Sequence, residues 1–143
     1  MSDATESAAS VRLWGLPFAA LGVVALLFPG VTADLLDRHP TTVSEAINLR
    51  STWSGTLFGI GAAIATGRFT PTSVADAAAG LVARRLTPTV MLVACGLLWI
   101  TLAVAVVRGI AFVVDGSPDA LQWFYFWGEL ALAGGAAIYL RGR

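Results

Sequence analysis

The 143 residues contain no lysine, one histidine, His39, and one cysteine, Cys95. Every basic charge is therefore an arginine, and the arginines come singly or in pairs, so no basic stripe suited to tracking a nucleic-acid backbone is available. A lone cysteine inside an apolar block excludes a disulfide framework and a CxxC metal or redox site. Nor does any local motif assemble a Ser/His/Asp set, a phosphate loop or paired catalytic carboxylates. Charged residues make up 13% of the chain and the net charge is zero, against roughly one quarter charged in ordinary soluble domains. So little polar material cannot clothe a soluble domain of this length, and the composition points to lipid as the solvent.

What is abundant is apolar sequence, 57% of all residues. It gathers in four stretches, Leu13–Phe28, Ser51–Thr66, Thr89–Val107 and Leu121–Leu140. Each approaches the roughly 20 residues that cross a hydrocarbon core of about 30 Å. The expected fold is an all-α integral membrane protein, a four-transmembrane-helix bundle. Its first two spans, at about 16 residues, would rely on bilayer thinning or snorkelling of flanking side chains. Residues 1–10 read as a flexible cytoplasmic tail and 11–143 as a single transmembrane domain. Val31-Thr32-Ala33 before Asp34 also resembles a signal-peptide cleavage site, although Asp3 and Glu6 make an unusual leader for one.

Local signals place the connections. Thr42 and Glu45 have capping-box spacing, which predicts a helix starting near residue 43. The 69–88 segment reads as a short cytoplasmic interfacial helix between helices 2 and 3, with Val74, Ala78, Leu81 and Arg85 at helical spacing and Arg84 and Arg85 set to meet lipid head groups. In this topology Arg12, Arg68, Arg84, Arg85, Arg141 and Arg143 fall on one side, and Arg38, Arg50 and Arg108 on the other. Basic loops stay inside, so the expected placement is multi-pass in a bacterial cytoplasmic membrane with both termini cytoplasmic. Trp123, Phe124, Tyr125, Phe126 and Trp127 would mark the outer interface.

Two constellations stand out. Ser51, Gly55, Gly59, Ala63 and Gly67 recur every four residues, a small-residue ladder that lets another helix approach closely. Glu129 lies inside the last apolar stretch, where an ionisable group needs a partner or a role. Ala133, Ala136 and Ala137 share its face, which turns it toward other helices. Arg108 and Arg50 are its candidate partners. Side chains lean toward their helix N-terminus, so Arg108 converges on Glu129 and Arg50 is second choice. Asp34, Asp37, His39 and Glu45 match no known metal-ligand spacing and read as a solvated acidic turn.

These pieces resemble a family of small bacterial membrane proteins, domain of unknown function 4345. The resemblance rests on Glu45-Ala-Ile-Asn-Leu-Arg50-Ser-Thr-Trp-Ser-Gly55, on Arg108-Gly-Ile-Ala-Phe-Val-Val-Asp115-Gly116 and on Glu129. Ser54-Gly55 stands where such members commonly show Gly-Gly, and the 69–88 connection is longer. The resemblance implies four spans and an intramembrane set of Arg50, Arg108, Asp115 and Glu129, with no activity attached. The expected function is non-catalytic: an accessory or assembly subunit, or a self-associating bundle. Its expected partners are the lipid bilayer and a second copy or larger membrane complex, with no nucleic acid, metal or cofactor. The alternative is a module that binds or transports a lipid or small hydrophobic molecule, such as a quinone, at the outer polar cluster. An enzyme working at Glu129 is the third reading.

Overall fold

The computed structural model describes residues 12–67, 71–82 and 87–142. Among them run six helices: α1 (Gly15–Leu27), α2 (Pro29–Leu35), α3 (Val43–Ala65), α4 (Pro71–Val82), α5 (Thr87–Val114) and α6 (Ala120–Arg141). Their boundaries follow from local chemistry. Pro29 has no N–H to continue the α1 ladder, so the chain breaks at Phe28 and α2 leaves at 103° to α1. At the start of α3, Thr42 Oγ1 accepts from the Glu45 amide at 3.2 Å, and Glu45 Oε2 accepts from the Thr42 amide at 3.3 Å, closing the capping box. Gly67, with φ of +70°, turns the chain out of α3 and donates its N–H to the Ile64 carbonyl at 2.9 Å. Asp119 caps α6 by accepting from the Gln122 amide at 2.8 Å.

Small residues decide how these helices meet. A Cβ on Gly15 would lie 2.5 Å from the Gly61 carbonyl oxygen, and one on Gly61 would lie 2.8 Å from the Gly15 oxygen, so α1 and α3 pack backbone to backbone. On another face of α3, a Cβ on Gly55 would collide with Val104 Cα and one on Gly59 with Ile100 Cα. Both contacts run antiparallel. Dispersion across such close approaches holds the three helices together. Helix α6 then lies along α5, antiparallel to it, with Phe126 beside Gly109 and the Trp123 ring tilted against Phe112 at a centroid distance of 4.9 Å. Helix α4 rests on α5 through buried Ala77, whose carbonyl accepts from Thr89 Oγ1 at 2.7 Å.

The four-transmembrane-helix bundle expected from the sequence is not what the structure shows. Among the described residues, α5 is the one helix both long and apolar enough to cross a membrane, and α1 and α2 reach that mark only as a bent pair. Helix α1 has 13 residues, about 20 Å at 1.5 Å per residue. Helix α3 has 23 residues but carries Glu45, Asn48 and Arg50 in its first half, and α6 is diluted by Gln122, Glu129 and its Trp, Tyr and Gly residues. The long helices also form an open row, α1, α3, α5, α6, in which the end members do not pack on each other. The all-α class holds. The 1–10 tail lies outside the described residues.

One local expectation also changes. Gly67 is the turn residue beyond α3 and has left the ladder, with Arg12 lying across it. On α4, Val74 and Ala78 are exposed while Ala77 and Gly80 are buried. Arg84 and Arg85 lie outside the described residues.

Candidate functional site

Two guanidinium centres occupy the end of the row where α3 and α6 begin and α5 ends. Arg108, on the inner face of α5, is only 3% exposed. Its Nη2 donates to Glu129 Oε1 at 2.7 Å, and Nε donates to both carboxylate oxygens at 3.1 and 3.0 Å. The antiparallel run of α5 and α6 and the N-terminal lean of both side chains bring the two groups together. Nη1 donates to Asn48 Oδ1 of α3 at 2.8 Å and to Gln122 Oε1 of α6 at 2.5 Å. Tyr125 adds its ring face, with the guanidinium carbon 5.5 Å from the centroid. One cation thus ties three helices, and its donors meet a compensating acid and two neutral acceptors.

The network continues outward. Gln122, fully buried, donates from Nε2 to the Ser44 carbonyl at 3.2 Å, and Ser44 Oγ donates to Asp119 Oδ2 at 2.6 Å. Asp119 therefore joins the first turns of α3 and α6. Its bond from Ser44, followed by that from the Gln122 amide, holds its carboxyl below the usual aspartate range. Glu45 is held below the glutamate range by the Thr41 amide first and then the Thr41 hydroxyl.

Arg50 forms the second centre. It meets Asp115 rather than Glu129, with Nε to Oδ2 at 2.8 Å and Nη2 to Oδ1 at 2.7 Å, a bidentate pair about one-eighth exposed on each side. Nη1 donates to the Leu26 carbonyl at 2.7 Å. That carbonyl belongs to the last turn of α1, where the break at Pro29 interrupts the ladder.

The structure therefore brings Arg108 to Glu129 and Arg50 to Asp115. Sequence reasoning did not pair Asp115 with Arg50, and it passed over Asn48, Gln122, Ser44 and Asp119. A signal was present for Gln122, which sits seven residues before Glu129 on the same helical face. Asn48 and Ser44 gave none. Ser51, Gly55, Gly59 and Ala63 are buried along α3, and Ser51 returns its hydroxyl to the Ile47 carbonyl at 2.7 Å. Ala133 is buried, with Ala136 and Ala137 half-buried. His39 lies 3.7 Å from Asp34 and 4.0 Å from Asp37 on the surface, and among the described residues no group of three metal-ligating side chains forms.

Chemically, both centres are occupied by their own internal partners. Neither leaves a carboxylate free beside a cavity, so the arrangement is suited to fixing helix register. Comparison with protein-family profiles, with characterised proteins and with solved structures found no match for this chain.

Proposed function

We propose that this chain is a non-catalytic membrane protein that acts by associating, through α6, with a second copy or a larger membrane assembly. The observation that carries this reading is a contrast among glycines. Those of α1 and α3 are consumed by internal packing, whereas a Cβ on Gly128, Gly134 or Gly135 of α6 would meet nothing within 4 Å. Helix α6 ends the row, and Phe124, Trp127, Leu132 and Ile138 are exposed around those glycines. An edge helix with small residues flanked by large apolar ones is the surface on which helices associate in lipid.

Membrane placement is supported by α5, whose most apolar stretch is only 28% buried within the protein. The core helix of a soluble protein would be mostly covered. In this reading α5 is the inserted element of a bacterial cytoplasmic-membrane protein, and α6, packed antiparallel along it, is brought to the lipid beside it. Arg12, beside Gly67, and Arg141, in the last turn of α6, lie at the same end of the row.

The test is extraction in a mild detergent followed by mass measurement of the intact particle. Wild type should run as a dimer or with a stoichiometric partner, and Gly135→Leu should release the monomer without lowering helix content. A monomeric wild type, or a Gly135→Leu protein in the same assembly, would overturn the proposal.

A further inference from the structure

Beside the first turns of α3 lies a cavity of about 460 Å³ that the buried ion pairs do not use. It is lined by Arg38, His39, Glu45, Asn48, Thr52 and Trp53, among others. Polarity falls along it. Arg38, His39 and Glu45 stand at the head, Asn48 and Thr52 follow, and the indole of Trp53, 42% exposed, forms the far wall. From Glu45 to Trp53 is eight residues of helix, about 12 Å. A groove charged at one end and aromatic at the other matches an amphiphile better than a wholly soluble or a wholly apolar molecule.

The charges at its head are not cancelled. Arg38 is exposed and makes no ion pair among the described residues, while the neighbouring His39 is turned to Asp34 and Asp37. Glu45 receives Thr41 and Thr42 entirely on Oε2, at 2.7, 3.0 and 3.3 Å, which leaves Oε1 without a hydrogen bond among the described residues. An open guanidinium and an open carboxylate oxygen border one cavity, and a ligand that satisfies both must carry both signs. The floor is rigid, because Asn48 is held by Arg108 at 2.8 Å.

We infer that this groove binds a zwitterionic aminophospholipid, with its phosphate on Arg38, its ammonium on Glu45 and its first acyl carbons against Trp53. The phosphate takes charge-assisted hydrogen bonds from the guanidinium, and the primary ammonium donates to Oε1. A quaternary ammonium has no N–H to donate to Oε1, and phosphatidylglycerol has no cation to place there. This site is separate from the α6 surface, so either proposal can fail while the other stands.

The experiment is a titration of the purified full-length protein in maltoside detergent with short-chain dihexanoyl lipids, read by the change in tryptophan fluorescence. Phosphatidylethanolamine should bind saturably and more tightly than phosphatidylglycerol or phosphatidylcholine. Arg38→Gln should weaken both phosphatidylethanolamine and phosphatidylglycerol by about tenfold, the scale of one charge-assisted contact. Glu45→Gln preserves the capping box, since glutamine serves at that position. It should weaken phosphatidylethanolamine alone and so erase the preference. Trp53→Phe should remove most of the fluorescence response. Equal binding of the three lipids, or variants indistinguishable from wild type, would overturn the assignment. Free phosphoethanolamine binding as tightly as the lipid would overturn the amphiphile and leave only a site for the head group.

Discussion

Arg50 and Asp115, sixty-five residues apart in the chain, face each other through two parallel hydrogen bonds of 2.8 and 2.7 Å. The pair joins the first half of α3 to the residue that follows α5 and closes one end of the helix row. Removing the acid alone should strand a largely buried guanidinium. Asp115→Asn is expected to lower stability by about 3 kcal/mol, and adding Arg50→Gln to restore part of that loss. Unfolding curves of the two single variants and the double variant measure the coupling. Additive losses would mean that the pair contributes nothing beyond its separate members.

Glu129 and Arg108 should behave likewise but remain independent of the first pair. Glu129→Gln lowers stability, and Arg108→Gln in the same chain recovers some of it, with a coupling of about 1–3 kcal/mol. Arg50→Gln combined with Glu129→Gln should show no coupling, because Arg50 is bound to Asp115 and Leu26. Recovery is expected to be incomplete, since Asn48 and Gln122 would lose their shared donor.

Glycine substitutions separate the packed face from the open one. Gly59→Ala forces α3 and α5 apart, because the new methyl meets the Ile100 backbone, and should cost about 1–3 kcal/mol. Gly134→Ala meets nothing and should be neutral or slightly stabilising through helix propensity. Gly59→Leu should disrupt the fold more severely than Leu57→Ala. Thermal melts followed by circular dichroism rank the four, and equal melting of Gly59→Ala and Gly134→Ala would contradict the contact.

Acid should loosen the starts of α3 and α6. Glu45 titrates below its ordinary value in the folded chain, so its contribution is fully present above about pH 4.5 and is lost as pH falls through the lowered value. Asp119 follows the same sign from about pH 3.8 downward. Glu45→Gln should flatten the upper part of that profile. Melting temperature measured from pH 6 to pH 3 checks it, and a slope unchanged in Glu45→Gln would remove Glu45 as its source.

The features legible in the sequence are those set by neighbours along the chain. Thr42 and Glu45 are three residues apart, so the capping box needs only local geometry. Glu129 and Arg108 sit on consecutive long helices whose antiparallel course follows from the short connection between α5 and α6, which made their convergence readable. Asp115 was harder to place, because its partner depends on where α5 ends and on which face of α3 that end meets. The small-residue spacing in α3 was visible, yet periodicity could not reveal that Gly67 had already left the helix. Nor could hydropathy alone distinguish four spans from an open row in which α3 and α6 are long but polar in part. That difference comes from Glu45, Asn48 and Arg50 in one helix and Gln122 and Glu129 in the other.

Arg50 also donates to the Leu26 carbonyl, just before the sharp bend between α1 and α2. A guanidinium is a stiff plane, so its grip on that carbonyl and its grip on Asp115 cannot be adjusted separately. The elbow at Phe28 is thereby geared to the far end of α5: swinging α1 against α2 must either drag Asp115 or release it. Its stiffness is set by a charge held on another helix, and Asp115→Asn should free the joint, seen as faster amide exchange at Val31 and Thr32 while the glycine-packed centre of the row stays protected.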